Sequence, residues 1–121
     1  MPEVHTLVHS WERLAQDAPM PLLTRRRIIG EQMMISRVEL AKGCDVPSHS
    51  HANEQFAVLL SGTMRFGLGT PGTLDHREVT LHAGEVLHLP SNLPHSAFAI
   101  EDCVILDLFS PPSQKTGIDR R

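Results

Sequence analysis

From Met33 onward the chain alternates short apolar runs with breaks. The runs are MMISRVEL, QFAVLLSG, TMRFGLG, REVTLHA, EVLHLP, SAFAI and CVILDLF; AKGCDVP, SG, GTPGT, AG, PSNLP and ED separate them. Short β-length runs between Gly, Pro and Asn breaks predict an antiparallel all-β sandwich or barrel. LLSGTM reads as a tight hairpin, with Gly62 supplying the positive φ its turn needs. Pro90 closes the strand EVLHLP, because proline cannot donate to a central ladder. Met33, Met34 and Met64 read as core packing. Before this region, residues 1–32 read as an N-terminal arm. HSWERLAQ suits a short helix capped by Ser10, broken by Pro19 and Pro21. After the barrel of residues 33–110, the Pro-rich polar tail 111–121 is expected to lie over the surface or fray.

The stretch HSHANEQ, His49 to Gln55, carries the densest chemistry. Along an extended strand alternate side chains share a face. His49, His51 and Gln55 share one parity, and the next residues of that parity, Ala57 and Leu59, are apolar. Two imidazoles and a carboxamide therefore point inward. Buried polar groups need partners, and a divalent cation satisfies imidazole nitrogens and an amide oxygen together. Glu54, of opposite parity, is expected on the outer face.

Composition removes other classes. With 121 residues and a net charge of -3, the chain reads as one domain without the clustered basic face of a nucleic-acid binder. Arg25–Arg27 reads as a solvated basic edge. No apolar run approaches the length of a membrane span, and the first residues lack the pattern of a signal peptide. Cys44 and Cys103, far apart and without a C-x-x-C, read as reduced thiols of a cytoplasmic protein. Of the eight histidines, His82 and His88 could reach the interior but read as surface or core residues. His76 reads as exposed, and His5 and His9 belong to the arm.

Two ordered motifs resemble the cupin superfamily. The first, G-x5-H-x-H-x3,4-E-x6-G, is met by Gly43, His49, His51, Gln55 in the acidic slot, and Gly62. The second, G-x5-P-x-G-x2-H-x3-N, is met by Gly84, Pro90, Asn92 for Gly, and His95, with Ala99 where the last Asn would stand. Asn tolerates the left-handed conformation that Gly supplies. The resemblance implies a double-stranded β-helix, or jelly-roll barrel, and a divalent metal (Ni, Zn, Fe, Mn or Co) held by His49, His51, Gln55 and His95. All four are neutral ligands, so the ion keeps its +2 charge and favours a small anionic ligand.

HSH..EQ...LLSG with PSNLPHSA and EDCVILDLFSPP resembles, more narrowly, the small single-domain cupins of pectin degradation, which process unsaturated uronates. That resemblance implies isomerase- or lyase-type proton transfer on a sugar acid, with Asp107 as acid/base and Phe109 in the pocket wall. Ser113 stands where the family continues with Arg, the natural partner of a uronate carboxylate. Arg37 or Arg65 could stand in for it from a strand, but each reads first as a surface residue. A metal-dependent dioxygenase and a non-catalytic small-molecule-binding cupin are the alternatives. Small cupins pack their barrels in pairs and exchange N-terminal arms. Val4, Leu7, Val8 and Trp11 need cover, so a homodimer is expected.

Overall fold

The computed structural model describes residues 7–119. It contains ten strands: β1 (Asp17–Met20), β2 (Leu23–Ile29), β3 (Met34–Leu40), β4 (Asp45–His49), β5 (Glu54–Ser61), β6 (Thr63–Leu68), β7 (Arg77–His82), β8 (Val86–Leu89), β9 (His95–Ala99) and β10 (Cys103–Ser110). They form two antiparallel sheets, one ordered β1-β2-β3-β10-β5-β8 and the other β4-β9-β6-β7. This is the expected all-β jelly roll. Among the described residues, the helical content is one 3-10 turn at Trp11–Arg13, and Ser10 before it makes no side-chain cap. Among the described residues no helix is long and apolar enough to cross a membrane.

Alternation places the core between the sheets. In β3, Met34, Ser36, Val38 and Leu40 are buried while the residues between them are partly or fully exposed. Ala57 and Leu59 of β5 are fully buried, and Cys44, Val46, Met64, Phe66, Leu81 and Ala99 meet them from the segment leading into β4, from β4 itself and from the rest of the four-stranded sheet. Cys44 and Cys103 are both free and buried.

Several expectations change in three dimensions. LLSGTM is not a hairpin, because β5 lies in one sheet and β6 in the other, so Gly62 turns a corner between sheets. It does take positive φ, +90°, and a Cβ there would run into the Asp102 carbonyl oxygen and within 2.6 Å of Cys103 Sγ. The arm is shorter than expected, since residues 17–29 supply two strands of the large sheet. Met33 is 56% exposed and is not core. His76 is half-buried rather than exposed. Val4 and His5 lie outside the described residues.

The two largest corrections concern β2 and the tail. Arg25 is no solvated edge residue: it shares the inward parity of Leu23 and is only 3% exposed. Residues 113–119 do not fray over the surface. Thr116 is buried, and Ile118 packs on the core cluster. An apolar residue three places from the chain's charged end found a gap between the sheets that composition alone could not reveal.

A three-histidine candidate metal centre

His49 is the last residue of β4 and His95 the first of β9, and the two are register partners. His51 stands in the crossing from β4 to β5, where the backbone N–H of Asn92 donates to its carbonyl oxygen over 2.8 Å. That bond ties the second motif to the first. Asn92 has φ of +67°, the conformation its Gly-like slot requires. Gln55 follows on β5, facing Phe109 and Leu89 in register. The segment His49–Gln55 is thus not one strand. It passes from sheet to sheet, so His49 and Gln55 approach each other from opposite walls.

The candidate nitrogens of His49, His51 and His95 all lie within 4.8 Å of one another. Their ring centroids are 4.4 to 5.8 Å apart. Each Nδ1 meets a backbone carbonyl: His49 with Pro47 O at 2.8 Å, His51 with Asn53 O at 3.1 Å, His95 with Leu93 O at 2.9 Å. A carbonyl only accepts, so each ring carries its proton on Nδ1 and Nε2 is the nitrogen it can offer a metal ion. Backbone anchoring of the second nitrogen is the arrangement that orients metal-binding histidines. Burial, with a smaller repulsion from His49 and His51, lowers His95 to about 4 against the opposing bond to Leu93, so its ring is neutral near neutral pH.

Gln55 completes the set. Its Nε2 donates to Asp107 Oδ1 over 2.9 Å, which turns its oxygen toward His51 Nε2 at 3.1 Å. With His51 protonated on Nδ1, two acceptors face each other across that gap. A cation between them satisfies both, so the donor set fits a divalent metal with nitrogen and amide-oxygen ligands.

The other expected site residues are distributed unevenly. Asp107 lines the same cavity, and burial lifts its carboxyl to about 7 against the opposing Gln55 bond. Phe109 is buried in the wall, its ring 5.7 Å from that of His51. Arg37 is not brought to the site: it lies on the outer face of β3, paired with Glu39 at 2.6 Å. Arg65 likewise faces outward, over the Phe98 ring. Glu54 faces outward as expected and meets His88 at 2.6 Å. His82 pairs with Glu85 on the surface.

Sequence reasoning missed Asn53, the tail residues Thr116, Gly117 and Ile118, and the inward turn of Arg25. Asn53 is buried and donates its amide to the Pro111 carbonyl. Thr116 and Ile118 line the cavity from the tail, and Gly117 lies against the His49 ring. Arg25 has its guanidinium between Asp17 and Asp119. The parity of Arg25 with Leu23 was the one available signal. A larger groove of about 570 Å³ opens at the opposite end, around Leu22, Ala41 and Asp102, and contains no histidine.

A family model described as a cupin domain matches residues 36–109. Among solved structures, the chain is similar to KdgF from Halomonas sp. at 23% identity and a TM-score of 0.74, covering 84% of this chain and 92% of that one. It is similar to an RmlC-like cupin from Shewanella frigidimarina at 20% identity and a TM-score of 0.78, covering 88% and 91%. Oxalate decarboxylase from Bacillus subtilis matches at 19% identity and a TM-score of 0.78, over 90% of this chain but 31% of the decarboxylase. These likenesses establish the fold. No curated protein sequence matches the chain.

Proposed function

The chain belongs to the cupin family, and from that premise we propose that it is a metal-dependent enzyme acting on a small anionic organic acid such as a sugar acid, by proton transfer of the isomerase or lyase type. One observation carries this reading. Three imidazoles with Nδ1 committed to backbone converge with an amide oxygen, and a buried carboxyl hydrogen-bonds that amide from behind. The four ligands are neutral, which supports an anionic ligand in the remaining positions.

A divalent ion bound there would supply Lewis acidity and a fixed positive charge for the carboxylate. The chain's own residues do the rest. Gln55 orients its oxygen through Asp107. Phe109 and the apolar wall exclude water. Asp107, lifted to about 7 by burial, is poised to hold or release a proton near neutral pH. The bound metal can be Ni, Zn, Fe, Mn or Co, since the donor set suits all of them.

Two copies are proposed to pair through the outer face of the six-stranded sheet. Register places Ile28, Ile35, Leu108 and Phe56 in one outward row, and Leu106, Val58 and Val86 in the next. Phe56 is 44% and Val86 55% exposed, an apolar face that needs cover. The free thiols suit a reducing, cytoplasmic setting.

The test separates binding from chemistry. In His51→Ala and His95→Ala, metal content measured by elemental analysis is expected to fall while the far-ultraviolet circular dichroism of the barrel persists. Asp107→Asn keeps an acceptor for Gln55, so it is expected to keep its metal and lose turnover of unsaturated uronates followed by NMR. Full metal content in both histidine variants would remove the site. Oxygen uptake with Fe(II) and no sugar-acid conversion would replace the isomerase reading with an oxygenase.

A further inference from the structure

The tail narrows the way into the histidine site, where His95 is buried while His49 and His51 stay half-exposed. The cavity lined by His49, Gln55, His95, Asp107 and Phe109 holds about 50 Å³. Ligand pockets start near roughly 300 Å³, so no sugar acid enters the cavity as it stands. Thr116 and Ile118 line it from the tail. Gly117, at φ of +101°, lies so close to His49 that a Cβ would strike its Cδ2 and come within 2.6 Å of its Nε2.

One ion pair fastens this plug. Arg25 gives Nε and Nη2 to Asp17, both at 3.0 Å. It gives Nη1 to Asp119 Oδ2 at 3.0 Å and Nη2 to Asp119 Oδ1. The Arg25 side chain is 2% exposed, and that of Asp119 15%. The fork toward Asp119 is the two-point geometry by which arginine takes any carboxylate. Beyond the burial of Thr116 and the packing of Ile118 on the core, the plug has few polar ties. It belongs to no strand, and its other ties include the Thr116 N–H to Asp119 at 3.2 Å and an exposed Arg27 bond to the Gln114 carbonyl at 2.8 Å.

We propose that Arg25 is the carboxylate-binding anchor of this cavity, with Asp119 as its resident ligand, so that a small organic anion enters by displacing Asp119 and lifting Thr116–Ile118 off the histidines. Asp17 stays with Arg25 throughout, so one carboxylate is exchanged for another at nearly constant local charge. Arg27, the next inward position on β2, stands in the row of Ser36 and Asp107 and adds a second cation. The exchange supplies the guanidinium that Ser113 lacks. The ligand class rests on the function proposed above; the closure by Asp119 does not.

Two measurements separate these parts. Carbethoxylation of His49 by diethyl pyrocarbonate, followed by mass spectrometry on metal-free protein, reads closure alone. Calorimetry with galacturonate, and with uncharged galactose as the control, reads the anchor on metal-loaded protein. Asp119→Asn is expected to speed modification of His49 and to tighten galacturonate binding, each about tenfold, with galactose unaffected. Arg25→Gln in that background is expected to weaken galacturonate binding by more than tenfold, leaving the contribution of the ion. Arg25→Lys, which keeps the charge and loses the fork, serves if the Gln variant does not fold, and is expected to bind at least tenfold more weakly. An unchanged modification rate in Asp119→Asn overturns the closure, whatever galacturonate does. Faster modification with equal galacturonate affinity in the Arg25 variants overturns the anchor and leaves the anionic-substrate reading standing. Faster modification with no galacturonate binding in any form overturns the anchor and that reading together, while closure by Asp119 stands.

Discussion

Gln55 and Asp107 are bonded side chain to side chain over 2.9 Å, from adjacent strands of the six-stranded sheet. The bond sets which end of the amide faces the histidines. Asp107→Ala removes the acceptor and lets the amide rotate. Metal affinity is expected to fall by about 10- to 100-fold, the usual cost of losing an outer partner of a ligand. Competition with a metallochromic indicator measures it. An unchanged affinity would mean that Gln55 is held by its strand alone.

Gln55→Glu changes the charge of the site without changing its shape. The ligand set then leaves the ion at +1, so metal affinity is expected to hold or rise and binding of small carboxylates to weaken. The structure adds a second effect. The new carboxylate faces Asp107 at hydrogen-bond distance, and two like charges so close oppose each other's ionisation. Metal-free Gln55→Glu is therefore expected to melt below the wild type and to gain more from added metal. Equal anion affinity in the two metal-loaded proteins would make the amide incidental.

The closing segment carries a pH dependence. Burial alone would raise the Asp119 carboxyl, but Arg25, the Thr116 N–H and the charge of Arg27 together hold it below its ordinary 3.8. A carboxyl lowered on folding contributes stability that is present above its unfolded value, and that stability is lost as pH falls through the folded value. Asp119→Asn is expected to cost about 1–2 kcal/mol near neutral pH, with the gap to wild type closing below about pH 4. Urea unfolding at pH 7 and pH 3 gives both numbers. A gap that does not narrow at all between pH 7 and pH 3 would assign the loss to packing rather than charge.

The outer face of the large sheet is apolar along its central strand. CVILDLF lacks a clean alternation because Val104, Leu106 and Leu108 stand outward at intermediate exposure, against Cys103, Ile105 and Phe109 inward. Phe56→Glu places a charge in the row with Leu108 and Ile35. It is expected to convert a dimer to a monomer in light scattering, with metal content unchanged. A wild-type monomer at micromolar concentration would end the pairing proposal.

The legible part of this protein was the part written in short-range pattern. Period-two alternation and turn residues specify strands locally, so the all-β class and most strand positions followed from MMISRVEL through CVILDLF. The inward parity of Gln55 and the outward parity of Glu54 followed in the same way. Spacing in the two motifs marked His49, His51 and His95. Where the chain changes sheets was not legible: Gly62 looks the same in a hairpin turn and in a corner between sheets, because both need positive φ.

Tertiary structure decided the rest. Arg25, Arg26 and Arg27 are identical in the chain, and only the pairing of β2 with β3 turns Arg25 toward the core and Arg26 away from it. Asp17 and Asp119, 102 positions apart by residue number, meet on one guanidinium because the tail returns across the mouth of the barrel. Gly117 reaches His49 for the same reason. The sequence by itself determined most strands from Met33 onward, their faces and the kind of metal site they could build, since these depend on neighbours a few residues away. What covers that site, and which arginine holds the covering segment, depended on contacts between distant segments, and those exist only once the two sheets have closed.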